Sequence, residues 1–248
     1  MVTLDTIRDI KICQYKDGYR FSVDSLLLFS FINLQRAGEI IDLGAGTGII
    51  GILLAQKYPK SNVLLVELQE SLAKLAQRNI ELNGLGERIK IIKADVRDFV
   101  NMNNQIGDGA SSKYLDSKYD LAVSNPPFRK LKSGLLNCGD EKAIARHEIM
   151  LSLKDLIKAS AYFLKHHGRL CIIHLPERLS EIITFMRQHN IEPRRLRFVH
   201  SNLYSEAKMV LIEAVKGGRP DMKVEKPFFI YENDGSYTAE MDAIYEAS

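Results

Sequence analysis

The chain has 248 residues, 46% of them hydrophobic, with 34 basic against 31 acidic side chains. That supplies the core of one large α/β domain, and a formal charge of +3 permits a polyanionic partner without requiring one. Cys13, Cys138 and Cys171 give neither a metal spacing nor a disulfide framework, no apolar run approaches bilayer length, and "MVTLDTIRDIKIC" lacks the apolar stretch of a signal peptide, so a soluble cytoplasmic globular protein is expected.

"IKICQYKDGYRFS" (10–22) alternates around Asp17-Gly18, which predicts a hairpin there. The apolar run 23–34 reads as a buried helix. From residue 39 strands and helices alternate. Strand 39–46 runs into glycines, helix 47–59 stops at Pro59, strand 62–68 precedes helix 69–84 with Gly84 at its stop, and strand 88–95 follows. The Asn-, Ser- and Gly-rich stretch 99–118 reads as a long loop before strand 119–125. Beyond an irregular segment come helix 152–166, strand 168–176, helix 177–190, and strands 194–201 and 208–217, with a strand and a short helix in the tail. Such alternation means a doubly wound, mostly parallel sheet, here of seven strands. The last two long strands have a short connection and should be antiparallel. Residues 1–36 are expected to form a hairpin-and-helix extension packed on a domain of residues 37–248.

Ligands of such sheets bind outside the carboxyl ends of the strands. The first of these ends is "DLGAGTG" (42–48). Gly44, Gly46 and Gly48 allow a sharp turn with the backbone close to a ligand. Glu67 ends the next strand and can accept both hydroxyls of a ribose. The dinucleotide fingerprint needs a third glycine where Ile49 stands, so it fails. The spacing D-x-G-x-G-x-G resembles motif I of the S-adenosylmethionine-dependent methyltransferases. Asp42 suits their cofactor, whose methionine end carries an ammonium and a sulfonium. That resemblance implies that Asp95, ending the third strand, accepts from the adenine amino group and that Val96 packs on the ring; a helix N-cap would also explain Asp95.

The fourth strand ends in "SNPPF": Asn125, Pro126, Pro127 and Phe128. This resembles the (N/D/S)-P-P-(Y/F) motif of amino-methyltransferases. A conjugated exocyclic amine is a poor nucleophile, because its lone pair is delocalised. Two acceptors on its hydrogens localise that pair, and Asn125 and Pro126 can supply them as a side-chain and a main-chain carbonyl. The prolines fix φ, so the second carbonyl is preset. Phe128 offers a stacking face. No cysteine follows Pro126, which argues against carbon-5 pyrimidine methylation.

"GYRFSVDSLLL", "SNPPF", "KMVLIEAVKGG" and a terminal "Y-T-A-E" together resemble the tRNA1(Val) adenine-37 N6-methyltransferase family over nearly the whole chain. The resemblance implies S-adenosylmethionine as cofactor and tRNA as substrate; from the sequence no metal site and no membrane segment are expected, and no obligate protein partner is evident. It implies a cofactor site of Asp24, Asp42, Gly44, Ala45, Gly46, Gly48, Glu67, Leu68, Asp95 and Val96, with Asn125. Residues 129–147, containing Arg146 and His147, would form a loop over the target base. Arg129, Lys130 and Lys132, and the cluster Arg194, Arg195 and Arg197, could track an RNA backbone or form a solvated basic face. Three other readings stay open. One is an N5-glutamine methyltransferase of a release factor, a class that usually carries a separate N-terminal helical domain, against which the roughly forty residues before motif I argue. Another is an N2-guanine or N4-cytosine RNA methyltransferase. The last is an inactive cofactor-binding interaction module.

Overall fold

A computed structural model describes residues 2–15, 23–101, 118–126 and 152–246. Strands β1 (Val2–Ile7) and β2 (Ile10–Tyr15) form an antiparallel hairpin. It closes at Arg8-Asp9, with Arg8 at φ 52, the left-handed backbone of tight hairpin turns. Here "IKICQY" pairs with the preceding residues 2–7, and the hairpin expected about Asp17-Gly18 lies outside the described residues.

Helix α1 (Val23–Phe31) leads to β3 (Glu39–Leu43), α2 (Ile49–Lys57), β4 (Asn62–Glu67), α3 (Glu70–Leu82) and β5 (Ile89–Lys93). A single turn, α4 (Asp98–Asn101), and β6 (Tyr119–Ser124) follow. Then come α5 (Leu153–Phe163), β7 (Leu164–His174), a 3-10 turn (Pro176–Arg178), α6 (Leu179–Gln188), β8 (Ile191–His200) and β9 (Ala207–Lys216). Two-residue strands β10 (Lys223–Val224) and β11 (Phe228–Phe229) and helix α7 (Ala239–Tyr245) complete the described chain.

The sheet runs β10-β8-β9-β7-β6-β3-β4-β5. Strands β3 to β7 are mutually parallel, and β9 is antiparallel to both β7 and β8. The seven expected strands are therefore present, and among the described residues β10 and β11 extend the outer side of β8 in parallel register. β7 starts four residues earlier than expected, directly from α5, because Leu164 pairs Tyr119 before a bulge restores register at Leu121 and Arg169.

Strands buried on both faces are apolar throughout. Ile40, Leu65, Leu121 and Ile173 face one apolar cluster, shared with hairpin residues Ile10 and Ile12, with α1 and α2, and with Met241 of α7. Their neighbours Ile41, Leu64, Ala122 and Ile172 face a second cluster with α5 and α6. α2 has no polar face because it lies between the hairpin side and the sheet, buried from Ile49 to Ala55. It comes so close to β4 that a Cβ at Gly51 would stand 2.3 Å from Leu65 Cδ2.

Candidate active site

The residues singled out at the strand ends converge. Alternation along β3, β4 and β6 turns Asp42, Glu67 and Asn125 to the α1/α2 side, like Ile40, Leu65 and Val123 before them. The turn after β3 has Gly44, Gly46 and Gly48 at φ 77, 58 and 83, values that a side chain would strain. The Gly44 and Ala45 amides donate to Val66 O at 2.9 and 3.0 Å, which fixes the turn to β4. Glu67 is buried; one carboxylate oxygen accepts from the Gly46 amide at 2.9 Å and the other from the Gln69 amide at 2.8 Å. It ties the glycine turn to the start of α3, and each oxygen keeps a lone pair for a ligand hydroxyl.

Asp42 is 1% exposed, and neither carboxylate oxygen has a hydrogen-bond partner among the described residues. Burial pushes its carboxyl up to about 7, the Gly51 amide partly offsets that, and the Glu67 charge adds to it. A buried carboxylate in this state is poised for a cation. Among the described residues no atom lies within 4 Å of a Cβ position built on Gly44, so none of them closes the backbone there to a ligand. A cofactor with an ammonium and a sulfonium fits this donor set better than a pyrophosphate, which the carboxylates would repel.

At the end of β6, Asn125 Nδ2 donates to the hydroxyl of Ser25 at 3.1 Å. The amide nitrogen is thereby held against α1, and Oδ1 is the end left to accept. The preceding Ser124 hydroxyl donates to Leu43 O at 2.6 Å, fixing this strand end to β3 beside the glycine turn. Pro126 is buried; Pro127 and Phe128 lie outside the described residues, as do 127–151 with their basic side chains and 102–117 of the polar loop.

The remaining expected cofactor residues are differently placed. Asp95 is held by the Arg97 guanidinium at 2.6 Å and accepts the Arg97 amide at 2.8 Å, and the Arg97 side chain draws its pKa below the ordinary carboxylate value. Its carbonyl accepts from the Asp98 amide, so it begins the α4 turn. Val96, 6% exposed, belongs to the α5/α6 cluster and offers a ligand no more than an edge. Leu68 is half-buried beside Glu67, and Asp24 lies in the first turn of α1, next to Ser25.

Sequence reasoning missed Ser25, Gly51 and Asn79. Gly51 takes the helix-to-sheet packing role that Ile49 could not fill, two positions further on. Ser25 and Asn79 act through contacts 100 and 66 residues away, and no local pattern signals them. The arginine cluster is corrected. Arg195 pairs with Glu213 and Glu225 at 2.9 and 3.1 Å, Arg197 with Glu240 at 2.6 Å and Arg194 with Asp221 at 3.1 Å. Each of these cations is paired with a carboxylate, Arg195 with the buried Glu213 and Arg194 and Arg197 with exposed partners, so the cluster is not the unpaired basic face that was expected.

A doubly wound sheet that bends through such a glycine turn, with a carboxylate behind it at the second strand end, is the architecture of S-adenosylmethionine-dependent methyltransferases. The chain belongs to the methyltransferase small domain family, whose model matches residues 20–189, and S-adenosylmethionine is the cofactor. It is similar to a Porphyromonas gingivalis protein named tRNA1(Val) (adenine(37)-N6)-methyltransferase, 31% identical over 198 residues covering 78% of this chain and 73% of the relative. A Pedobacter heparinus protein of the same name is 26% identical over 231 residues, 93% of this chain and 91% of that one. Among solved structures it resembles a predicted O-methyltransferase from Agrobacterium tumefaciens, with TM-score 0.68 and 24% identity over 91% of this chain and 98% of the other, a likeness of fold. No helix of the described residues is long and apolar enough to cross a membrane.

Proposed function

We propose that the enzyme methylates the N6 amine of an adenine in RNA, and that the adenine belongs to the anticodon loop of a tRNA. The observation that carries this reading is the anchored amide of Asn125. With Nδ2 committed to Ser25, Oδ1 is the acceptor presented at the strand end. An adenine N6 has two hydrogens and a lone pair spread into its ring. Oδ1 of Asn125 and the carbonyl of Pro126 take one hydrogen each, and the nitrogen pyramidalises with its lone pair turned to the cofactor side. Phe128 supports the base as a stacking surface. S-adenosylmethionine supplies an electrophilic methyl group on a sulfonium.

Asp42, Glu67 and the backbone of the glycine turn hold that cofactor, with Leu68, Asp95, Val96 and Asp24 around it. No general base is needed at the amine, since its proton leaves after the nitrogen has become cationic. The relatives' names support adenine over the other exocyclic amines. A loop adenine also costs less to unstack than one in a duplex. On this reading residues 1–36 are an extension packed on the methyltransferase domain 37–248, and the enzyme works in the cytoplasm on tRNA without an obligate protein partner.

The test is incubation with methyl-labelled cofactor and, separately, unmodified tRNA, release factor and DNA, followed by digestion of the nucleic acids to nucleosides. Labelled N6-methyladenosine from tRNA is expected. Label on a glutamine of release factor, with none on tRNA, would replace this function by the amide reaction.

A further inference from the structure

We propose that the β8–β9 hairpin tip, residues 201–206, is an RNA contact on which Tyr204 stacks an unpaired base beside the target adenine. The inference rests on the RNA reading above and extends it to a second part of the surface. β8 runs parallel to β3–β7, so its end at His200 and the start of β9 at Ala207 lie on the same carboxyl edge as Asn125. The tip is on the side away from the cofactor turn, because the order is β6-β7-β9-β8 in one direction and β6-β3-β4-β5 in the other. Ser124 is level with Ile172, and Ile172 with Ile212. Ala207 is five residues further along β9, so the tip rises more than about 10 Å above the level of Asn125 and stands about 10 Å to its side.

Tyr204 is 82% exposed and Leu203 63%, higher than any other large apolar side chain described. Single exposed apolar residues are ordinary on protein surfaces. This pair differs in being held out by a built turn. The Ser205 hydroxyl accepts from the Asn202 amide at 3.0 Å, Asn202 Oδ1 accepts from the Tyr204 amide at 3.1 Å, and His200 Nδ1 lies 2.8 Å from Ser205 O. Glu206 and Lys208 beside it are exposed with opposite charges, so the tip has no net charge to repel a phosphate backbone. A prominence two residues wide is too small for a protein interface, which buries several hundred Å² per partner. It suits one splayed base, since every base offers a π-face to a tyrosine. An RNA that delivers an unstacked adenine to Asn125 has its neighbouring nucleotides along this edge.

The chain contains no tryptophan, so Tyr204→Trp installs a single indole emitter at the tip. Titration of this variant with an unmodified tRNA transcript should quench its emission saturably, and blunt duplex RNA should do so weakly. Tyr204→Ala should raise KM for tRNA about tenfold with kcat retained at saturation, and Tyr204→Phe should restore KM. Cofactor affinity and melting temperature, measured on each variant, should match the parent. The proposal is overturned if the indole is silent to a tRNA that the enzyme methylates, or if Tyr204→Ala leaves KM unchanged. Quenching by tRNA without methyl transfer to it would support the RNA contact while removing the adenine reading. Quenching by release factor and not by tRNA would overturn both.

Discussion

The side-chain amide of Asn79 makes with Cys13 the two hydrogen bonds that a neighbouring strand residue would make. Its Oδ1 accepts the Cys13 amide at 2.7 Å and its Nδ2 donates to the Cys13 carbonyl at 3.0 Å. Asn83 repeats this with Lys11, at 2.9 and 2.8 Å. Four residues of helix advance about 6 Å and two residues of strand about 7 Å, so the two amides on α3 meet alternate residues along the edge of β2. Asn79 Nδ2 also donates to Thr47 O at 2.9 Å, inside the glycine turn.

Asn79→Ala should therefore damage two things at once. It leaves the buried backbone groups of Cys13 and Thr47 without partners, a loss of about 3 kcal/mol in stability. The glycine turn loses a support, so affinity for S-adenosylhomocysteine should fall by a larger factor than in Asn83→Ala, which touches the hairpin alone. Urea denaturation and calorimetric titration of the two variants measure both effects.

Ser25 acts through Asn125. Ser25→Ala removes the acceptor that holds Nδ2 and lets the amide rotate, so kcat should drop about tenfold with cofactor affinity unchanged. Ser25→Thr retains the hydroxyl and should recover most of the rate. A loss of cofactor binding equal to the loss in rate would make Ser25 a packing residue.

Asn125→Ala removes the acceptor itself. Turnover should fall by about 10²- to 10³-fold, the scale found for deleting a positioned hydrogen-bonding group, while S-adenosylhomocysteine still binds within about threefold of the parent. Single-turnover kinetics with saturating tRNA separates this from a binding defect.

The state of Asp42 gives a pH signature of known sign. Its folded-state pKa, about 7, lies above the ordinary value of 3.8. The fold thus prefers the protonated carboxyl, and without ligand this group's contribution to stability falls as pH rises from about 4 through about 7. A cationic ligand binds the ionised form. S-adenosylhomocysteine, which keeps the ammonium, should bind more weakly at pH 6 than at pH 8, approaching tenfold per unit below pH 7. Asp42→Asn should flatten this dependence and weaken binding at pH 8. A parent profile that is itself flat would place the ammonium elsewhere.

Arg195→Ala tests the ion-pair network. Glu213 is buried and is also paired with Arg169, so the variant should lose about 2 kcal/mol of stability with KM for tRNA unchanged. A raised KM at unaltered stability would return Arg195 to the RNA surface.

The sheet and the glycine turn were legible because each depends on short-range pattern. Apolar runs bounded by turn residues mark buried strands, and Gly44, Gly46 and Gly48 mark left-handed backbone wherever the chain places them. What escaped depends on partners far along the chain. Asn79 reads as an ordinary polar helix residue until Cys13 is beside it. Arg194, Arg195 and Arg197 read as one patch, but Arg194 sits at an irregularity in the pairing of β8 with β9, and each of the three meets a carboxylate of its own from elsewhere in the chain. The Arg97 hold on Asp95 was two residues away and still missed, since carboxylate and guanidinium neighbours pair only when a turn folds one back on the other. The hairpin at Arg8-Asp9 went unread because that dipeptide is a weak local turn signal, yet residues 2–7 pair with 10–15 and the faces of Ile10 and Ile12 join the core.

Arg8 of the first hairpin donates to the Ile244 carbonyl at 2.9 Å, and Met241 and Ile244 of the last described helix are buried against the same cluster as Ile10 and Ile12. The apolar face of the first hairpin is therefore closed by a helix 236 residues further along the chain. Strands β3 to β6 pair within residues 39–124, while the side of the sheet that carries α1 is closed by α7 from the far end of the described chain. The cofactor turn is thus held by contacts within a short span of sequence, and the amine-binding end by contacts that reach across the chain.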